Sequence, residues 1–211
     1  MFRIPPSVFF LFCFFCSYGQ HAGYTLMTHP ETFKKSFAAA TAATASIQSD
    51  FKQEKTLSML SENINSTGKF WYRKNNKIRL EYLQPYTYLM ILNGGKIFVK
   101  EGQKENKISA SSNKVFQQVN RILIDCVAGS MMENPDFQSR VFESNAFFLV
   151  ELDPEVKNLK ELYKNINIVI DKKDFTASAI EMYELSGDKT IIRFQNKKIN
   201  ALIPDSVFDI P

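Results

Sequence analysis

The chain is poor in reactive side chains. Its 211 residues include three cysteines and two histidines. Zinc favours clustered Cys and His ligands, whereas His21 and His29 sit near the N-terminus and Cys126 lies far from both. Cys13 and Cys16 fall in an N-terminal apolar run, so once that run is removed Cys126 has no partner for an internal disulfide. It lies on the apolar stripe of an expected helix and reads as a buried thiol rather than a nucleophile. There is no glycine-rich phosphate loop and no serine elbow. The carboxylate pairs Glu181/Glu184 and Asp171/Asp174 fall in strands and turns, where solvation accounts for them. No catalytic residue, metal or cofactor is therefore expected. Twenty-six basic against 22 acidic residues give a net charge of +4, evenly spread, which argues against a nucleic-acid partner.

The N-terminus reads as a secretory signal. Arg3 carries the charge, Val8 to Cys16 is apolar and rich in Phe, and Ser17-Tyr18-Gly19 precedes a cleavage point that leaves Gln20 first. The apolar run is too short to span a bilayer, and no second run approaches that length. A lipoprotein signal with Cys16 or Cys13 acylated is the rival reading. Bulky Phe14 and Phe15 stand where such signals need small residues. The expected organisation is a signal peptide over 1–19 and a single domain over 20–211, exported to the periplasm as a monomer.

What the chain has in abundance is alternation. A helix is expected from His29 to Ala45, with Thr28 and Glu31 as a capping box and a stripe of Phe33, Phe37, Ala40 and Thr44. Then Ile47, Phe51, Leu57 and Met59 share one strand parity. Gly68, Phe70 and Tyr72 alternate with Lys69, Trp71 and Arg73, and Ile78, Leu80 and Tyr82 with Lys77, Arg79 and Glu81. Lys74-Asn75-Asn76 and Asn93-Gly94-Gly95 read as tight hairpins. From Asn113 the spacing turns helical through Val115, Phe116, Val119, Ile122, Leu123, Cys126 and Val127, with Gly129 as its cap. Strands resume at Phe137–Phe142, Ala146–Leu152, Ile166–Ile170, Thr176–Tyr183 and Lys189–Phe194, with a helical turn at Lys157–Tyr163. About ten short antiparallel strands and two helices predict an α+β, mainly β fold. The strongly curved antiparallel sheet would form a half-open β-barrel covered by a helical lid.

Phe51-x-Gln53, Gly68-Lys69-Phe70-Trp71-Tyr72-Arg73, Ile78-Arg79-Leu80-Glu81-Tyr82, Pro85 and Asn93-Gly94-Gly95 resemble the first half of the LolA family of periplasmic lipoprotein carriers. Leu152-x-Pro154, Gly187-Asp188-Lys189-Thr190 and Asn200-Ala201-Leu202-Ile203-Pro204 leading to Phe208 are similar to its second half. The resemblance spans roughly residues 30–211. It implies a non-enzymatic carrier that takes acylated lipoproteins from an inner-membrane ABC-type releasing complex to an outer-membrane acceptor. One departure is local: the family often has Arg-Pro in the first of these hairpins, with the Arg linked to lid closure. Here Lys74 falls nearest that position and Arg73 is beside it.

The candidate lining of an apolar cavity is Phe51, Phe70, Tyr72, Ile78, Leu80, Tyr82, Met90, Phe116, Val119, Leu123, Met131 and Met132, with Arg73 and Lys74 as lid contacts. The same side chains would serve equally as solid core, and the methionines as adaptable gap-fillers. Each buried methylene contributes about 0.8 kcal/mol, so a long acyl chain requires shelter worth roughly 12 kcal/mol to cross water. The cargo stays open between lipoproteins, other lipids and an apolar precursor. A sensor or interaction module of the same fold is the alternative. Lys34-Lys35, Arg73-Lys74 and Lys197-Lys198 are expected on solvated edges.

Overall fold

The structure is a computed structural model that describes residues 21–60, 62–102, 104–109, 122, 125 and 129–211. The expected signal peptide, Cys126 and the candidates Phe116, Val119 and Leu123 lie outside the described residues. Twelve described strands form one antiparallel sheet that is not closed. They are β1 (Thr25–Leu26), β2 (Ser46–Leu57), β3 (Glu62–Arg73), β4 (Lys77–Gln84), β5 (Tyr88–Asn93), β6 (Lys96–Glu101), β7 (Lys104–Ser109), β8 (Phe137–Glu143), β9 (Phe147–Pro154), β10 (Tyr163–Asp171), β11 (Ala177–Glu184) and β12 (Lys189–Ile199). Their order is β1-β8-β9-β10-β11-β12-β2-β3-β4-β5-β6-β7. Two sequential meanders, β8–β12 and β2–β7, are thus joined by a long-range seam in which β12 pairs with β2 from Lys189 opposite Thr56 to Ile199 opposite Ile47, and short β1 adds to the outer edge of β8. The half-open barrel expected from the alternation is the fold observed.

Helix α1 (Glu31–Ala43) is shorter than expected. Pro30 occupies the N-cap position without a side-chain hydrogen bond, so the expected capping box does not form there. Phe33 and Phe37, four residues apart, point the same way and are buried. Their rings stack 5.6 Å apart, and Phe33 meets Phe148 of β9 at 4.5 Å. Helix α2 (Lys157–Lys160) is the single turn at the expected place.

The core face of the sheet carries two apolar clusters. One joins Phe33 and Phe37 of α1 to Val141, Val150, Leu152, Ile166, Ile168 and Ile180 on β8 to β11. The other gathers Ile47, Phe51, Phe70, Tyr72, Ile78, Met90, Leu92, Ile97 and Ile192 from β2 to β6 and β12. Met182 and Phe194 pack against both. Met59 leaves the parity expected for it: β2 ends at Leu57, and Met59 stands in the following turn, 91 % exposed.

The opposite face of β4 and β5 is covered by the C-terminal segment. Ile91 and Phe98 face one another across the ladder and are buried, as is Phe208 of the 3-10 turn at Asp205–Phe208, which contacts β4 and β5. Asn93 donates through Nδ2 to the Phe208 carbonyl at 3.1 Å, and Arg79 donates to that of Val207 at 3.3 Å.

Candidate functional site

The candidate site residues are divided between the two clusters. Phe51, Phe70, Tyr72, Ile78 and Met90 belong to the β2–β6 cluster and are buried, and Leu80 and Tyr82 pack against it partly exposed. Met131 and Met132 belong to the other half, beside α1. The pleat explains the first grouping. Each residue has the same parity on its strand, and the ladders place Gly68 opposite Phe51, Leu80 opposite Phe70, Ile78 opposite Tyr72 and Met90 opposite Leu80.

Gly68 opens room for Phe51. A Cβ at residue 68 would fall 2.3 Å from Phe51 Cζ and 2.2 Å from the Glu81 carbonyl oxygen, so the ring occupies the slot that the missing side chain leaves. Phe51 in turn meets Tyr82 edge-on at 4.9 Å. Tyr82 stacks with Tyr86 at 6.1 Å and meets Tyr88 edge-on at 5.7 Å. At the same end of these strands an opening of about 190 Å³ is lined by Tyr82 and Tyr88 together with Glu81, Leu83, Leu89 and Lys100, whose parity is that of the opposite face. The Tyr82 hydroxyl donates to Gln53 Oε1 at 2.7 Å. Burial, with Tyr86 and Tyr88 nearby, raises its phenol above the ordinary range. Burial, with Glu101 nearby, pushes that of Tyr88 up to about 12. Both stay neutral at physiological pH.

A second feature lies at the seam. Ile47, Ser49 and Phe70 from β2 and β3 face Thr176, Ala177, Phe194 and Lys197 across a cleft of about 10 Å³, room for one water-sized group. Lys197 is not the solvated edge cation the sequence suggests. The β2–β12 register shifts between Gln195 and Lys198, and Asn196 takes φ 53° there. The ammonium lies 2.6 Å from Thr176 Oγ1 and 3.2 Å from Asp174 Oδ2, with the side chain only 14 % exposed. Burial alone would raise the Asp174 carboxyl. Hydrogen bonds from Thr176 and the charge of Lys197 outweigh it and hold the group below its usual range.

The two expected lid contacts part company. Lys74 donates from Nζ to the Ala42 carbonyl, in the last turn of α1, and its backbone N–H donates to the Ala45 carbonyl at 3.0 Å. Arg73 turns to the C-terminal segment instead, donating to the Ile203 carbonyl at 3.0 Å, pairing with Asp205 and lying over the Phe208 ring at 5.5 Å. A wide depression of about 1030 Å³ beside Thr25–His29 and Glu143–Ala146 has a mixed polar and apolar lining and lies away from the β2–β6 cluster, touching the other cluster through Met27.

The family model for "Outer membrane lipoprotein carrier protein LolA" matches residues 42–211. Among curated proteins, none matches in sequence. The fold is similar to that of an uncharacterised conserved protein from Thermus thermophilus, with TM-score 0.52 and 8% identity over 87% of this chain and 95% of that one. It is similar also to a chain of the MucA/MucB complex of Pseudomonas aeruginosa, with TM-score 0.52 and 13% identity over 87% of this chain and 62% of that one. A LolA superfamily protein from Nitrosomonas europaea aligns with TM-score 0.43 and 12% identity over 84% of this chain and 97% of that one. At these identities the likeness is one of fold.

Proposed function

The chain belongs to the LolA family of outer membrane lipoprotein carriers, and from that premise we propose that it is a periplasmic carrier. It shelters acyl chains of lipoproteins against the core face of β2–β6 and delivers them from the inner to the outer membrane. The observation that carries this reading is the β2–β6 cluster itself. It is a continuous apolar face on an open sheet, ending in the Tyr82, Tyr86 and Tyr88 group. Aromatic and Met side chains there give a surface that accepts varied apolar partners.

At rest this face is packed, so loading an acyl chain requires the cluster to part. That suits a carrier. The chain is worth roughly 12 kcal/mol out of water in either location, so a site that exchanges packing for cargo binds moderately and lets go. Loading would draw on an ABC-type releasing complex, and unloading on a more apolar acceptor. Export by the N-terminal signal completes the proposal.

The test is extraction. Purified protein mixed with membrane vesicles carrying a labelled lipoprotein should bring it into the soluble fraction, and mass spectrometry of gently purified protein should find acyl chains. Failure of both removes the carrier reading. The second reading is an interaction module that holds a protein segment and transports nothing. It is supported by the closed packing of the core face and by the fold shared with a protein solved in complex with MucA. Stable capture of a periplasmic protein segment with no acyl chain present would favour it.

A further inference from the structure

Among the described residues, Ser49 is the one that lines the seam cleft with its polar group left unsatisfied. It is 3 % exposed, and its hydroxyl has no hydrogen-bond partner among the described residues. It stands opposite Phe70 on the core face, between Ile47 and Phe51. Leaving a hydroxyl unpaired in such a place is costly, and a small β-branched apolar residue would suit the strand better. A buried unpaired donor calls for a partner that arrives from elsewhere.

The rest of the cleft says what kind of partner. Ile47, Phe70, Ala177 and Phe194 supply hydrocarbon walls. The lining cation, Lys197, is balanced by Asp174 and held by Thr176, so the polar end has no net charge to offer an anion. Neutral acceptor chemistry on an apolar stem fits both halves. The space admits one group the size of a carbonyl oxygen. An attached chain would have to separate the rings of Phe70 and Phe194, whose centroids are 5.5 Å apart.

Resting on the carrier reading above, we propose that Ser49 donates a hydrogen bond to an acyl ester or amide carbonyl of the cargo. The seam cleft thereby fixes the head end of the acyl chain while the chain lies against the β2–β6 cluster. Ser66 offers an internal control. Its hydroxyl is also buried and without a partner among the described residues, yet it is not among the residues lining the cleft.

The experiment compares binding of a fluorescent S-dipalmitoylglyceryl cysteine peptide with that of its dihexadecyl ether counterpart, which lacks the carbonyls. A parallel pair uses dipalmitoyl and dihexadecyl phosphatidylglycerol. Wild-type protein should prefer ester to ether by about fivefold, the effect of one ordinary hydrogen bond. Ser49→Ala should lose that preference by weakening ester binding alone, while Ser49→Thr and Ser66→Ala keep it. Preference within the peptide pair assigns the site to lipoproteins, and preference confined to the phospholipid pair assigns it to free lipid. Equal binding of ester and ether by wild-type protein overturns the proposal, as does a preference that survives in Ser49→Ala with the melting temperature unchanged. Absence of binding to every probe removes the carrier reading and this inference with it.

Discussion

The Phe51 ring occupies the space that a side chain at Gly68 would need, with Phe51 Cζ 2.3 Å from where that Cβ would stand. Backbone on the other side, the Glu81 carbonyl at 2.2 Å, leaves the added methyl no retreat. The two residues are direct cross-strand partners, so the pair fixes how β2 and β3 meet on the core face. Gly68→Ala is expected to destabilise the fold by about 1–3 kcal/mol, the usual penalty of overpacking. A urea titration should show a lower midpoint with an unchanged slope.

Phe37 anchors α1, being 1 % exposed in the cluster of β8 to β11. A short Ala-rich helix has little stability without tertiary packing. Phe37→Ala should cost about 3–5 kcal/mol. Hydrogen exchange should show α1 amides losing protection before those of β9 and β10.

Lys74 places a cation against the last turn of α1 through the Ala42 carbonyl. Cations there complement the helix dipole for about 0.3–1 kcal/mol. Lys74→Met should leave global stability within about 1 kcal/mol of wild type. The readout is faster amide exchange confined to the C-terminal turn of α1 and Thr44.

Asp205 receives hydrogen bonds from Lys77 and Arg73, which lower its carboxyl below the ordinary value. A depressed folded-state pKa contributes stability above the unfolded value, near 3.9, and that contribution disappears as pH falls through the folded pKa. Asp205→Asn should therefore be less stable than wild type at pH 6, and the gap should close as pH falls below about 4. Denaturation midpoints of both proteins between pH 2 and pH 6 check this. A gap that widens in acid would contradict the assignment.

Much of the sheet is legible in the sequence because its central strands face one apolar and one wet side. Phe70 and Tyr72 against Lys69 and Trp71, or Ile78 and Leu80 against Lys77 and Arg79, give parity and hairpin register together. Asn75 at φ 68° and Asn76 at φ 56° are the turn residues the spacing suggests. β7 and the first residues of β3 carry no such alternation. They form because a neighbouring strand offers its hydrogen bonds. Lys197 is misjudged for a related reason: the β12 irregularity that places it beside Thr176 depends on β2, more than a hundred residues away. Phe51 and Met131 fall in separate clusters on the two halves that the β2–β12 pairing joins, an arrangement no local pattern encodes. Phe208 shows an alternating motif's opposite case, a lone aromatic whose burial depends wholly on the face it crosses.

Because β12 lies between β11 and β2, the middle of the sheet is the last part that can be assembled. A nascent polypeptide emerging in order can pair β2 through β6 early, yet it must hold the outer edge of β2 vacant until Lys189–Ile199 arrives. Completion is thus tied to the tail of the chain. Ending synthesis before Lys189 would not shorten this protein so much as leave it as two unsutured halves.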